Sequence, residues 1–132
     1  MSSLFKKLNL KDQTEIWVIN SPASFAGELA ALQGIKVTRD LKQAGAVHFA
    51  IGFACKQGEV DALAKNLAAK AVGDAILWFA YPKATSKKFR CEFNRDTGWK
   101  VMRSLGFDSV RQVAIDEDWS ALRFRRLEFI GK

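Results

Sequence analysis

The sequence predicts an α/β fold: a three-layer, Rossmann-like domain with a mostly parallel sheet of about six strands and a C-terminal antiparallel hairpin. Strand and helix patterns alternate along the chain, which is typical of parallel sheets with helices on both faces. Residues 46–53 and 74–80 are apolar at nearly every position, as expected for central strands covered on both sides. Only Asp116, Glu117 and Asp118 separate the last two strand patterns, a gap that fits a hairpin rather than a crossover.

Local signals in the first half place its elements in order. β-Branched and aromatic residues at 14–20 predict the first strand. Ser21 and Pro22 begin a predicted helix over 22–33 that Gly34 ends in a left-handed cap, and a short strand is expected at 35–38. After the strand at 46–53, apolar residues recur every three or four positions up to Ala71, which predicts an amphipathic helix ended by Gly73.

In the second half, Pro82 closes the strand at 74–80, because proline lacks the donor that a sheet requires. Asn94 is a candidate N-cap for a helix that ends at Gly106. This helix is expected to turn Trp99, Met102 and Leu105 inward.

The last two strands are expected at 110–115 and 119–127, with a bulge or the end of the second near Arg126. No repeat or linker divides the chain, so residues 1–132 form one predicted domain with 1–12 as its candidate flexible segment.

Composition narrows the class of protein. The chain has 132 residues, 48% of them apolar, which is enough for a core without disulfides or metals. No apolar run approaches the roughly 20 residues of a membrane span, and the first residues lack a secretory signal pattern. Cys55 and Cys91 stand apart in the sequence, as reduced structural thiols do. We therefore expect a cytoplasmic location and no membrane partner.

The second half also resembles known proteins. Residues 77–83 (LWFAYPK) with Thr85, Ser86 and Lys87, together with residues 113–124 (VAIDEDWSALRF), resemble a family of small, uncharacterised bacterial proteins. The order of parallel strand, helix, parallel strand, hairpin and antiparallel strand is similar to the C-terminal half of class I methyltransferases. The resemblance is strongest over residues 74–129 and implies a truncated Rossmann or methyltransferase-like fold, while the family brings no catalytic residues to carry over.

The turn after the first strand departs from the methyltransferase pattern. Dinucleotide-type folds use a glycine-rich turn there so that the backbone approaches the cofactor closely. Residues 20–24 (NSPAS) contain no glycine. We therefore expect no cofactor, S-adenosylmethionine included.

The best candidate site is the basic loop at residues 81–90, because ligands of doubly wound sheets bind outside the carboxyl ends of the strands. The net charge of +7 favours anionic partners, and much of the excess lies between residues 83 and 103. A phosphate or anionic chain would find cations, hydroxyls, a stacking ring and a nearby carboxylate there. The candidate ligand-binding residues are Tyr81, Lys83, Thr85, Ser86, Lys87, Lys88, Arg90 and Asp116.

Other polar residues have simpler explanations. Asp116 fits a hairpin turn better than a catalytic or metal-binding carboxylate, and no metal is expected. His48, the sole histidine, lies within a strand and favours a core position over a general base. Cys55 follows the third strand and so lies near the expected ligand-binding edge. The sequence shows no general base that would activate its thiol as a nucleophile. Arg123 and Arg125 would share one face of the last strand.

Three hypotheses for function follow. The first is a non-enzymatic domain that binds an anionic small molecule, such as a nucleotide, or nucleic acid through the basic loop. The second is a small or degenerate methyltransferase-like enzyme using Tyr81, Lys83 and Asp116 around a pocket. The third is an interaction module or homodimer that uses the edge of the hairpin.

Overall fold

The protein is described by a computed structural model that covers residues 3–40, 42, 45–93 and 97–130. Within those ranges the helices are α1 (Ser3–Lys7), α2 (Ala26–Ala30), α3 (Gln57–Lys70) and α4 (Lys100–Ser104). Short 3-10 helices precede α2 (Ala23–Phe25) and follow the last strand (Leu127–Phe129). The strands are β1 (Glu15–Ile19), β2 (Lys36–Thr38), β3 (Val47–Phe53), β4 (Ala71–Pro82), β5 (Phe107–Ala114) and β6 (Trp119–Arg126).

The strands form a six-stranded sheet in the order β2-β1-β3-β4-β6-β5. β1 is parallel to both β2 and β3, and β3 is parallel to β4. β6 is antiparallel to its neighbours β4 and β5, and it lies between them. The predicted fold class is therefore confirmed, including the C-terminal hairpin. β6 ends at Arg126, as predicted from the point where the apolar residues stop alternating. A bulge is present, but it lies in β5, between Ser109 and Arg111.

Helices cover the sheet on both faces and divide the core into two clusters. We call the sides the α3/α4 face and the α1/α2 face, after the helices that pack on each. β3 and β4 supply buried residues to both, which explains their nearly continuous apolar runs. The α3/α4 face buries Leu63, Leu67, Phe79, Trp99, Met102 and Phe124, among others. The α1/α2 face buries Phe5, Phe25, Phe49, Phe53, Trp78 and Trp119, among others.

The N-terminal segment contributes directly to the α1/α2 face. Leu4, Phe5, Leu8 and Leu10, all within the candidate flexible segment, are buried. The Leu8 carbonyl accepts a 2.9 Å hydrogen bond from the indole Nε1 of Trp78, across a sequence separation of 70 residues. This packing fixes the segment on the sheet. None of the helices in the described ranges has the length and apolar character of a bilayer span.

Helix boundaries differ from the sequence predictions where local turns intervene. The predicted helix at 22–33 is the 3-10 turn followed by the single short helix α2, although Gly34 does adopt the expected positive φ of 70°. α3 begins earlier than the periodicity indicates. Its start is a capping box, in which Glu59 accepts hydrogen bonds from the backbone N–H groups of Cys55 and Lys56.

Two side chains predicted to point inward are exposed. Leu105 is 38% exposed because α4 ends at Ser104, whereas the other two residues predicted to point inward, Trp99 and Met102, are buried in the core. His48 is exposed and was wrongly expected in the core. A register shift between Val47 and Phe49 turns the intervening side chain out of the sheet packing. The proposed N-cap Asn94 lies outside the described residues.

Candidate functional site at the carboxyl ends of the strands

The ends of the four parallel strands define one edge of the sheet. Asn20 follows β1, Arg39 follows β2, Ala54 follows β3, and β4 ends at Pro82 within the basic loop. Because ligands of doubly wound sheets bind outside this edge, the side chains there are the first to examine. Two concave regions open along it, one beside β1 and β2 and the other beside β4.

The basic loop is held in place by Ser86. Its hydroxyl donates a 2.8 Å hydrogen bond to Asp118 Oδ1 and accepts from the backbone N–H groups of Phe89 (3.1 Å) and Lys88 (3.3 Å). The Lys83 N–H donates to the Asp118 carbonyl at 2.8 Å. The loop is therefore tied at two points to the turn between β5 and β6. Ser86, predicted to contact a ligand, also positions the loop that carries the cations, and it lines the same cavity as they do.

Asp116 has the turn geometry that its sequence position favours. Its Oδ1 accepts hydrogen bonds from the backbone N–H groups of Asp118 and Trp119, both at 2.8 Å. This is the local pattern that makes aspartate common in turns. Because Trp119 N–H also belongs to the start of β6, the carboxylate sets the register of the hairpin that anchors the basic loop.

Tyr81 is buried instead of presenting a ring to solvent. The ring packs against Phe93 and Trp99, with centroids 5.9 Å away in each case. Its hydroxyl accepts a 2.9 Å hydrogen bond from Gln112 Nε2, which also donates to Ser120 Oγ at 3.0 Å. The expected stacking face is thus packed against other aromatic rings, although Tyr81 still lines two of the cavities at this edge of the sheet.

Five of the eight predicted residues line one positively charged cleft: Tyr81, Lys83, Ser86, Lys87 and Arg90. Lys83, Lys87 and Arg90 line a cavity of about 760 Å³, in which Glu92 is the acidic side chain among the described residues. The Glu92 carboxylate accepts from the backbone N–H of Gln57 at 2.9 Å, so one of its oxygens is already engaged. We call this cavity the lysine cleft. Its charge suits an anionic group.

Three of the predicted residues, including Asp116 of the turn, do not line the lysine cleft. Thr85 is exposed and lines an adjoining cavity of about 480 Å³ with Lys83, Gln112 and Ser120. Lys88 is exposed and lines neither cavity.

A second concave region was missed by the sequence reasoning. It is a groove of about 480 Å³ beside β1 and β2, which we call the strand-end groove. Asn20 and Asp40 lie at its strand side and α3 forms its other wall, through residues that include Glu59, Ala62, Leu63, Asn66 and Lys70. Asp40 Oδ1 accepts a 2.9 Å hydrogen bond from the Lys42 N–H, which orients the carboxylate.

The backbone at Asn20 is also unusual. Its φ is 59°, in the left-handed region that favours glycine. Asparagine is one of the few other residues that adopt this conformation readily. The tight turn that glycine provides in related folds is therefore made here by Asn20, although a side chain is present.

The cysteines are not activated. Burial is the main cause of a raised pKa at the Cys55 thiol, and the nearby Glu59 and Cys91 raise this pKa further. Burial likewise raises the pKa of Cys91. Both groups are thiols near neutral pH, which argues against a nucleophilic role. Across the described ranges, no set of three or more His, Cys, Asp and Glu side chains is arranged to hold a metal ion.

Known proteins resemble this chain in structure alone. No protein-family model matches the sequence, and no curated protein is significantly similar to it. A SAM-dependent methyltransferase from Aquifex aeolicus superposes with a TM-score of 0.66 at 11% identity, covering 94% of this chain and 88% of the other. The N-methyltransferase NodS from Bradyrhizobium japonicum gives 0.58 at 13% identity, covering 94% and 93%.

A third solved structure was determined with its ligand in place. The magnesium protoporphyrin IX methyltransferase from Synechocystis, with bound SAM, gives a TM-score of 0.55 at 16% identity and covers 93% of this chain and 74% of the other. These likenesses confirm the methyltransferase-like fold that the sequence resemblance implied. At such low identities they describe the fold and leave the site to be argued from its own residues.

Proposed function

We propose that this protein binds a nucleoside-bearing ligand, with S-adenosylmethionine as the first candidate, in the strand-end groove of a small methyltransferase-like domain. The observation that carries the proposal is the meeting of Asn20 and Asp40 in one groove at the ends of neighbouring parallel strands. In doubly wound folds an acidic residue about 20 positions after the first turn holds the ribose hydroxyls. Asp40 has that spacing from Asn20 and follows β2.

The walls of the groove suit the rest of such a ligand. Ile19, Ala62 and Leu63 offer apolar surface for a base, while Asn66 offers an amide. The volume of about 480 Å³ lies within the range of small-molecule and cofactor sites. The positive φ at Asn20 lets the chain turn tightly at the end of β1, where the ligand would approach. This geometry supports a cofactor despite the glycine-free turn that led us to expect none.

The lysine cleft gives the same edge of the sheet a place for an anionic second ligand. It lies at the end of β4, two strands from β1 in the sheet order, or roughly 10 Å at the usual strand spacing. An anionic methyl acceptor held by Lys83, Lys87 and Arg90 would therefore lie near one end of the groove. S-adenosylmethionine bound in the groove would supply an activated methyl group, while Lys83, Lys87 and Arg90 would hold the anionic acceptor beside it.

Calorimetric titration tests the nucleoside proposal. S-adenosylmethionine, S-adenosylhomocysteine and adenosine are each titrated into the wild type, Asp40→Asn and Asp12→Asn, the last being an exposed control away from the groove. A charged hydrogen bond contributes about 1.5–3 kcal/mol, so Asp40→Asn should weaken binding roughly 10- to 150-fold while Asp12→Asn leaves it unchanged. Failure of all three compounds to bind at millimolar concentration would overturn the proposal.

The charge of the lysine cleft favours a second candidate, a domain that binds an anionic ligand without catalysis. Three cations line the cleft against the single carboxylate of Glu92 within the described residues. Alanine at Lys83, Lys87 and Arg90 should then weaken binding of a polyanion and reduce the dependence of its affinity on salt. Equal salt slopes for the triple variant and the wild type would sink this candidate.

A homodimer through the hairpin is the third proposal, and its edge is poorly suited to pairing. β5 is the edge strand, and its ladder is interrupted between Ser109 and Arg111. Bulges and charged side chains are common devices against edge-to-edge pairing. Sedimentation at increasing concentration tests it, because a strictly monomeric mass would exclude the dimer.

A further inference from the structure

A pair of arginines lies on the α1/α2 face, away from the sheet edge that holds the strand-end groove and the lysine cleft. Arg111 of β5 is the direct register partner of Arg123 of β6. Arg123 is in turn opposite Trp78 of β4, whose side chain packs in the α1/α2 core, so the pair lies on that face. Side chains directly opposite in an antiparallel pair have Cβ atoms roughly 5 Å apart, and like charges there are destabilising.

The nearby carboxylates are already committed to other arginines. Asp74 binds Arg125 through two hydrogen bonds of 2.8 and 2.6 Å. Asp108, the register partner of Arg125, is 3.4 Å from the Nε of Arg103. Neither carboxylate forms an ion pair with Arg111 or Arg123, so two positive charges face each other without a bound counter-charge from the described residues.

Arg123 is also incompletely hydrogen-bonded. Its side chain is half-buried, and its Nε is a buried donor without a partner among the described residues. Such a donor costs free energy unless a ligand or water satisfies it. Burial is the main cause of a lowered pKa at Arg123; Asp74 opposes this shift, and the charges of Arg125 and Arg111 add to it. The positive charge and the Nε–H donor of Arg123 are thus poorly compensated by the described residues.

We propose that Arg111 and Arg123 form a phosphate-binding site on the α1/α2 face. A guanidinium presents paired N–H donors that match phosphate oxygens. A phosphate monoester carries nearly two negative charges near neutral pH and can therefore neutralise both arginines, whereas a carboxylate supplies one. A nucleic-acid backbone presents similar oxygens, but each phosphodiester carries one negative charge, so two neighbouring phosphates would be needed to neutralise both arginines. This site is separate from the lysine cleft and does not depend on the nucleoside proposal.

Thermal unfolding with inorganic phosphate tests the site, with sodium chloride of equal ionic strength as the reference. At tenfold its dissociation constant, phosphate should raise the unfolding midpoint of the wild type by about 5 °C. Arg111→Gln should lose most of this shift. Lys65→Gln, an exposed change on α3, should keep it.

A second readout separates loss of the site from a general loss of stability in Arg111→Gln. In phosphate-free buffer, the exposed change Arg111→Gln should unfold at the same or a higher temperature than the wild type, because it removes the like-charge contact. A short fluorescent single-stranded oligonucleotide forms the other arm. If Arg111→Gln weakens binding of the oligonucleotide and inorganic phosphate does not shift the unfolding midpoint, the site binds the phosphates of a nucleic-acid backbone. A phosphate shift equal in both proteins, or no response to either anion, overturns the site.

Discussion

Ser86→Ala should destabilise the protein even when no ligand is present, because this hydroxyl anchors the basic loop. The substitution removes the 2.8 Å bond to the Asp118 carboxylate and two longer bonds from backbone N–H groups. A hydrogen bond to a charged group contributes about 1.5–3 kcal/mol, and water replaces part of the rest at this half-buried position. We expect a loss of about 2 kcal/mol.

That loss corresponds to a measurable change in melting temperature. Unfolding entropy averages about 2.1 cal/mol/K per residue, or about 0.28 kcal/mol/K for 132 residues. The midpoint for Ser86→Ala should therefore fall by about 7 °C in thermal unfolding followed by circular dichroism. Thr85→Ala is the matched control, because Thr85 is exposed and makes no hydrogen bond within the described residues.

Limited proteolysis distinguishes a loop anchor from a general stabiliser. Cleavage after the lysines of the basic loop should accelerate in Ser86→Ala well below its melting temperature, since the loop loses its tie to the β5–β6 turn. Ser86→Thr, which keeps a hydroxyl, should recover part of both effects. Equal melting temperatures for Ser86→Ala and Thr85→Ala would refute the role of Ser86 as an anchor of the loop.

Two further changes test the packing of the α1/α2 face. Trp78→Phe leaves the buried Leu8 carbonyl without its donor and should cost about 1–3 kcal/mol, lowering the urea midpoint; an unchanged midpoint contradicts the N-terminal docking. Asp74→Asn should reduce acid sensitivity, because the hydrogen bond from Arg125 lowers the Asp74 pKa below 3.8 and the pair is lost as pH falls through that lowered value. The melting temperatures of the wild type and Asp74→Asn should differ near pH 7 and converge below about pH 4. A difference that stays constant with pH contradicts this.

Regular elements could be predicted because their signals are local. The continuous apolar runs of β3 and β4 specify burial on both faces, and the three-residue gap at 116–118 specifies a hairpin. The ends of the helices and the exposure of single residues were harder to predict from the sequence, because individual contacts determine them. The start of α3 depends on Glu59 reaching back to two N–H groups, and the exposure of His48 depends on a register shift that composition does not reveal.

The candidate site was predicted in position more than in roles. The sequence placed cations at the end of β4, yet it did not show that Ser86 would bind Asp118 or that Tyr81 would be buried against Trp99. The strand-end groove was missed because its residues come from β1, β2 and α3. The spacing between Asn20 and Asp40 was the one signal in the sequence that could have found it.

Amide NMR during a titration with S-adenosylhomocysteine tests the central claim most directly, because it reports where the ligand binds. The nucleoside proposal predicts saturable shifts at Asn20, Asp40 and Asn66 in the strand-end groove, with Arg111 and Arg123 unaffected. Shifts confined to the lysine cleft, or no saturable shift at millimolar ligand, would contradict it.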